Sequence, residues 1–294
     1  MTGFLPRLTI PAFLLCVTAA LLPARAQTTL KPAIVVAGSP ELIRVSGHYL
    51  HVEGSWLGRK ILFFPARDGS AWYALAGVDV QAPAGPSTLT ITATTGSTVG
   101  ELPRDLSLHV PIRPAHYRTA ALTVAPGFVE PDPAQQAEIA LAVKAKEAAF
   151  AQGSAKPLWA GTFTPPVPSQ PTDSFGTRRT LNGKLSTIHK GMDFRAPVGT
   201  PVTAGNSGRV LLAQKLYYEG NCVILDHGQG LMTIHMHLSR IDVHPGDTVT
   251  QGQQLGLSGA TGRVTGPHLH WAVRWQAAML DPAKLLALNL SHLP

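Results

Sequence analysis

Apolar and β-branched residues come in short runs through the first third of the chain, and Gly, Pro and Asp separate these runs. A spacing of about ten residues between runs, with turn residues in between, is typical of antiparallel sandwiches. The pattern predicts a small β-sandwich-like domain over residues 27–122. Its predicted strands are Ala33–Val36, Leu42–Val45, Lys60–Phe64, Trp72–Leu75, Ser87–Thr94 and Leu106–Val110.

A helical pattern interrupts the β-rich texture in the middle of the chain. Asp132-Pro133 is suited to open a helix, and Ala134 to Ala151 is rich in Ala, Glu, Lys and Gln without a breaker. Gly153 and several prolines follow. We interpret residues 123–160 as an interdomain connection with one helix. The pattern leaves open whether this connection is a flexible linker or an arm packed across the following domain.

Short apolar runs return after residue 160, again separated by turns such as Asp226-His227-Gly228. Strands and helices do not alternate regularly here, which argues against a nucleotide-binding α/β fold and for an antiparallel β domain over residues 161–294. Its predicted strands are Gly208–Ala213, Asn221–Asp226, Leu231–Met236, Gln254–Ser258 and His268–Trp275, with one helix at Pro282–Leu288. The chain is therefore predicted to be mainly β.

The first 26 residues have the features of an export signal. An apolar stretch from Leu8 to Leu22 follows a single charge at Arg7, and Ala24-Arg25-Ala26 offers small residues at the two positions that a signal peptidase reads. The stretch is too short to span a bilayer comfortably, which disfavours the rival interpretation as an uncleaved anchor. We therefore expect a signal peptide over residues 1–26 and export to the periplasm or cell envelope, with no transmembrane segment in the mature chain.

Net charge and cysteine content restrict the possible partners and disulfides only slightly. The net charge of +7 falls to +5 once the two arginines of residues 1–26 are removed, and a positive surplus favours acidic partners without choosing among them. The same removal leaves one cysteine, Cys222, so no internal disulfide is expected. Cys222 lies in an apolar run and is interpreted as a small core residue.

Three histidine motifs carry the candidate chemistry, all in the last 110 or so residues. Imidazole nitrogens and carboxylate oxygens are suitable zinc ligands, and a catalytic zinc site uses about three of them. In each His-x-His motif the two side chains are expected on one face of a strand, where both could bind metal or one could transfer protons. The motifs are His189-Lys190-Gly191-Met192-Asp193, His235-Met236-His237-Leu238-Ser239 and Pro267-His268-Leu269-His270-Trp271.

These motifs, in this order, resemble the catalytic domain of the lysostaphin-like peptidase family, M23. The resemblance covers about Ser174 to Leu285, and an N-terminal β domain before the peptidase is similar to exported Gram-negative members. It also includes the segments Ser174-Phe175-Gly176-Thr177-Arg178-Arg179, Asp226-His227-Gly228 and Thr261-Gly262-Arg263-Val264-Thr265-Gly266.

The resemblance implies a role for each matched residue. It implies one zinc ion per chain, held by His189, Asp193 and His270, with His237 and His268 as catalytic histidines that do not bind the metal. At position 235 the family commonly has an aromatic residue, whereas this chain has a histidine. His235 is a candidate polar residue in the wall of the cleft.

The implied function is hydrolysis of peptide cross-links or stems of bacterial peptidoglycan by a monomer, with no nucleic-acid partner. Two alternatives stay open at this point: a catalytically inactive wall-binding or activator protein, and a glycine-specific zinc peptidase.

Overall fold

The computed structural model describes residues 27–97, 100–291 and 293, so the predicted signal peptide lies outside the described residues. The described chain is mainly β, as predicted, with two α-helices, α1 (Pro133–Phe150) and α2 (Pro282–Ala287), and one 3-10 turn at Pro126–Phe128. Neither α-helix of the described residues is long and apolar enough to cross a membrane.

The N-terminal part forms two four-stranded antiparallel sheets. Alternate apolar side chains from both sheets, such as Ile43, Val52 and Ile91, are fully buried in one shared cluster, which confirms the sandwich-like prediction. One sheet contains β1 (Thr28–Lys31), β2 (Pro40–Ser46), β5 (Phe64–Pro65) and β6 (Ala71–Gly77), in the order β1-β2-β6-β5. The other contains β3 (His51–Trp56), β4 (Arg59–Leu62), β7 (Thr88–Ser97) and β8 (Gly100–His109), in the order β4-β3-β7-β8.

Three details of this part differ from the sequence prediction. Strand β1 (Thr28–Lys31) precedes the first predicted strand. Ala33–Val36 is not a strand, because the Ser39 side chain bonds both the N–H and the carbonyl of Val36 and closes a turn there. Strand β3 was not predicted, because Gly54 interrupts its alternation of buried apolar residues. A Cβ at Gly54 would lie 2.8 Å from the carbonyl oxygen of Thr90 on β7, so the close pairing of the two strands requires glycine.

The C-terminal part is built around an eight-stranded sheet in which every pairing is antiparallel. The strand order is β10-β13-β21-β17-β16-β15-β19, and β22 pairs with the C-terminal end of β21, on the same edge as β13. The strands are β10 (Pro171–Asp173), β13 (Met192–Phe194), β15 (Gly208–Leu216), β16 (Gly220–Gly228), β17 (Leu231–Leu238), β19 (Thr248–Val249), β21 (Leu269–Trp275) and β22 (Ala278–Leu280).

Two smaller sheets lie beside the large one. The first has the order β12-β11-β9, and its β9 strand comes from the segment before α1 and pairs in parallel with β11. The second has the order β14-β20-β18. Their strands are β9 (Thr119–Leu122), β11 (Arg178–Leu181), β12 (Leu185–Ile188), β14 (Pro201–Thr203), β18 (Arg240–Ile241) and β20 (Gln254–Leu257).

The large sheet has two differently covered faces. Leu269 and Trp271 of β21 point into the main core, whereas Ala272 and its neighbour Ile234 belong to a second buried cluster with residues of α1. Asp193 pairs with His270 across β13 and β21, between neighbours that point into the main core. Because side chains alternate along a strand, Asp193 and His270 project from the same face that α1 covers farther along.

Helix α1 is an arm packed on this sheet, which resolves the alternative that the sequence left open. A capping box at Asp132 begins the helix, because its carboxylate accepts from the Gln135 N–H and the Gln135 side chain accepts from the Asp132 N–H. Ala142 and Ala149 are buried in the second cluster, and Lys146 forms an ion pair with the largely buried Glu219. The helix therefore closes an apolar face that would otherwise meet water.

Candidate metal centre and catalytic cleft

Three potential ligand atoms converge at the end of the large sheet. Nε2 of His189 lies 3.0 Å from Oδ1 of Asp193 and 3.0 Å from Nδ1 of His270, and Nδ1 of His270 lies 2.8 Å from Oδ1 of Asp193. Pairing of β13 with β21 sets Asp193 opposite His270, while His189 precedes β13 by a short turn. A Cβ at Gly191 would lie 2.4 Å from Nε2 of His270, so glycine is required for this approach.

The donor set fits a small divalent cation. Nδ1 of His189 donates to the carbonyl of Ser174 at 2.9 Å, and this bond leaves the lone pair of Nε2 directed at a carboxylate oxygen and a second imidazole. All three side chains are largely buried. Two imidazole nitrogens and one carboxylate oxygen within 4.8 Å of one another match the ligand chemistry of zinc, so the residues predicted as ligands are brought together in one site.

Arg179 and Asp173 support the carboxylate ligand, and neither role was predicted from the sequence. Nη2 of Arg179 donates to Oδ2 of Asp193 at 2.8 Å, and the same guanidinium contacts Oδ2 of Asp173 at 2.5 and 3.2 Å. Burial raises the pKa of Asp193, but hydrogen bonds with His189 and His270 outweigh it and hold that pKa well below its usual range. Arg179 thus fixes one carboxylate oxygen and leaves the other for the cluster of ligand atoms.

His237 and His268, the two helper histidines, lie beside the ligands, and their ring centroids are 5.0 Å apart. Nδ1 of His237 donates to the carbonyl of Thr261 and Nδ1 of His268 donates to the carbonyl of Gly266, both at 2.8 Å. In the neutral tautomer each Nε2 is therefore an unprotonated acceptor. Burial first, and then the nearby imidazoles of His270 and His268, lower the pKa of His237 to about 3.

The two histidines of the 235–237 motif do not share an environment, against the expectation from strand alternation. His237 has a φ of +64°, in the left-handed region that non-glycine residues rarely adopt. This backbone is held by the bond from its N–H to the Glu219 carbonyl at 2.8 Å and by close packing of Gly259. The alternation breaks at this residue, and the His237 ring lies in the cleft.

His235 is fully buried instead, with its ring 6.5 Å from that of Trp271. Burial lowers the pKa of His235 to about 3, and its ring nitrogens approach the Val223 backbone without a well-aligned hydrogen bond. The expectation that His235 forms a wall of the cleft was wrong. Because strand residues on this face point into the main core, His235 occupies the place of a core side chain.

Asp193, His270 and both helper histidines line one cleft of about 330 Å³, and His189 contacts the first two of these residues. Its walls come from three segments that are distant in sequence. Leu122 is the last residue of β9, and Val124 follows it in the segment before α1. Leu181 belongs to β11, and the loop 263–267 forms the far wall. Arg263 of this loop lies over the ring of Tyr218 at 4.6 Å from the centroid, which holds the loop against the domain.

Comparisons with known proteins agree with this geometry. Residues 187–282 match the sequence profile of Peptidase family M23. A solved structure of a putative peptidase M23 from Pseudomonas aeruginosa superposes with a TM-score of 0.64 at 27% identity, over 85% of this chain and 94% of that chain.

Two curated relatives come from Vibrio cholerae. Peptidoglycan DD-endopeptidase ShyA is 51% identical over 83 residues, which cover 28% of this chain and 19% of the relative. Peptidoglycan DD-endopeptidase ShyB is 41% identical over 96 residues, which cover 33% of this chain and 22% of the relative. The chain thus spans about a fifth of the length of these two relatives.

Proposed function

We propose that the chain is a zinc-dependent endopeptidase of bacterial peptidoglycan, because its residues 187–282 form a domain of peptidase family M23. One observation carries the proposal: a buried His-Asp-His donor set lies at a cleft that two of its members, Asp193 and His270, line together with His237 and His268. The names of the two relatives from Vibrio cholerae support cleavage of a cross-link between peptide stems over cleavage of a glycine bridge.

The proposed site would hold one zinc ion through Nε2 of His189, Oδ1 of Asp193 and Nδ1 of His270. When bound, zinc would polarise the scissile carbonyl and lower the pKa of a water molecule. The residues of the chain then move the protons. A neutral histidine with its Nδ1 bonded to a carbonyl accepts a proton at Nε2, and the resulting imidazolium donates it to the leaving amine. The other histidine can stabilise the oxyanion by a hydrogen bond. His237 and His268 are both prepared for this task by their Thr261 and Gly266 partners.

The proposal extends to organisation and location. We propose a monomer that is exported to the periplasm or cell envelope, with peptidoglycan rather than nucleic acid as its anionic partner. The proposed division is a signal peptide over residues 1–26, a β domain over 27–122, a linker with helix over 123–160 and the peptidase domain over 161–294. Preservation of all five site residues argues against the alternative of an inactive wall-binding or activator protein.

Digestion of purified sacculi tests the function. The mature, zinc-loaded chain should convert cross-linked muropeptide dimers into monomers, with a matching loss and gain in the separated products. A His270→Ala variant serves as the metal-free control. New reducing sugar ends with intact cross-links would contradict the proposal, and release of glycine fragments from glycine-bridged walls alone would favour the glycine-specific alternative.

A further inference from the structure

A second groove, with a volume of about 680 Å³, opens beside the catalytic cleft. Arg179, Thr187 and Arg263 line both spaces, so the groove is a continuation of the cleft and not a separate cavity. Its remaining walls come from the β11–β12 hairpin, from Lys190 next to the ligand His189, and from Gln81 of the N-terminal part. A substrate bound over the catalytic residues would therefore extend into this groove.

The groove is strongly cationic. Arg178, Lys190 and Arg263 line it, none of the three forms an ion pair among the described residues, and none of the described lining residues is acidic. Arg179 is different, because its charge is matched by Asp173 and Asp193. The three unmatched charges create a positive potential in a concave surface, where it attracts anions more effectively than on a flat one.

Most of the other described lining residues are polar, and Ile188 is the one large apolar residue among them. Thr180, Ser186 and Thr187 come from the hairpin, and their hydroxyls can donate hydrogen bonds to carboxylate oxygens. Apolar peptides would gain little here, whereas a guanidinium and a hydroxyl together suit a carboxylate. The lining chemistry therefore selects for charge and not for hydrophobic bulk.

We propose that this groove binds a free carboxylate of the peptide substrate, to one side of the scissile bond, through Arg178, Lys190 and Arg263. The proposal rests on the proposed function and adds a specificity to it. Stem peptides of peptidoglycan carry carboxylates that are not consumed in the cross-link, and amidation of these groups removes their charge. The enzyme should accordingly prefer stems with free carboxylates over amidated stems.

The test compares two cross-linked muropeptide dimers that differ only in amidation of the free carboxylates. kcat/KM is measured on both for the mature wild-type chain and for an Arg178→Gln/Lys190→Gln variant. Both substituted side chains are exposed and lie outside the contacts of the ligand atoms. A Lys144→Gln/Lys215→Gln variant removes the same charge from exposed positions that do not line the groove. Zinc content and circular dichroism establish that every variant is folded and loaded.

The wild type should prefer the free-carboxylate dimer by about tenfold or more, as expected for one or two charge-assisted hydrogen bonds. The groove variant should bring the ratio close to one, chiefly through KM, while the control variant keeps the wild-type ratio. Higher ionic strength should reduce the wild-type preference, because screening weakens the attraction of exposed charges.

Equal cleavage of both dimers by the wild type, or an unchanged ratio in the groove variant, would overturn the inference while peptidoglycan cleavage stands. Failure of the folded, zinc-loaded wild type to cut either dimer would overturn the proposed function and this inference with it.

Discussion

Replacement of Arg179 by Gln tests whether the metal site depends on residues behind its ligands. Arg179 is the residue that joins Asp193 to Asp173, with its Nη2 atom 2.8 Å from Oδ2 of Asp193. Gln is neutral and too short to hold both carboxylates in the same bidentate way. The substitution leaves the predicted ligands in place and removes only their support.

The expected loss follows from burial. The side chains of Arg179 and Asp193 are only 19% and 10% exposed, so water cannot fully replace the lost hydrogen bonds. Removing an outer partner of a metal-binding carboxylate typically costs about 10- to 100-fold in metal affinity. Two poorly compensated carboxylates should also lower the stability of the metal-free chain by about 1–3 kcal/mol. Asp173→Asn should cost less, because Arg179 would still hold Asp193.

Zinc affinity is measured by competition with a chelating dye, and stability by thermal melting of the metal-free protein. Arg118→Gln is the matched control, because Arg118 is an exposed arginine without an ion pair among the described residues. An Arg179→Gln protein that is folded and binds zinc as tightly as wild type would refute the reasoning. A stability loss without any change in zinc affinity would make Arg179 a structural residue only.

Four further predictions concern the ligands, the helper histidines, the arm and a buried acid. His270→Ala should lose most zinc and nearly all activity, and stoichiometric zinc in the folded variant would contradict the ligand assignment. His237→Ala and His268→Ala should keep zinc but lose activity by about 100-fold each, and near-normal turnover of either would remove it from the chemistry. The fragment 161–294 lacks the helix that covers the sheet and two cleft residues, so it should aggregate or cut more slowly than the mature chain in a sacculus assay. Burial raises the pKa of Glu41 to about 8 from an ordinary 4.5, so the folded state holds a proton that the unfolded state releases in this range. Stability should therefore fall by about a few kcal/mol as the pH rises from about 5 to 8, and Glu41→Gln should flatten that part of the melting profile.

The residues proposed for the site come from local pattern. His189, Asp193, His237, His268 and His270 lie in short motifs whose spacing and resemblance are readable along the chain. In the structure the last four line one cleft, and His189 contacts Asp193 and His270. The β texture and the helix after Asp132 were equally local signals, since turn residues and a capping box act within a few positions.

Tertiary structure decided what surrounds those residues. Arg179 of β11 reaches Asp193 of β13 because the β11–β12 hairpin lies close to β13 in the folded chain. A pattern of residue types does not encode that contact. His235 and His237 show the same limit within one motif. Strand alternation predicted a shared face, but long-range contacts hold His237 in a left-handed backbone, and only His237 reaches the cleft.

The segment that contains α1 is the largest feature that the sequence left undecided. Its helix has Ala, Glu, Lys and Gln on all sides, a composition that suits a solvated linker as well as a packed element. The choice between a solvated linker and a packed helix depends on the apolar face of β15 and β16, which includes Leu211 and Ile224. Helix α1 packs on this face and buries it. Leu122 and Val124, which line the cleft, are placed by the pairing of β9 with β11 and by hydrogen bonds between Val124 and Asn182, contacts that are equally long-range.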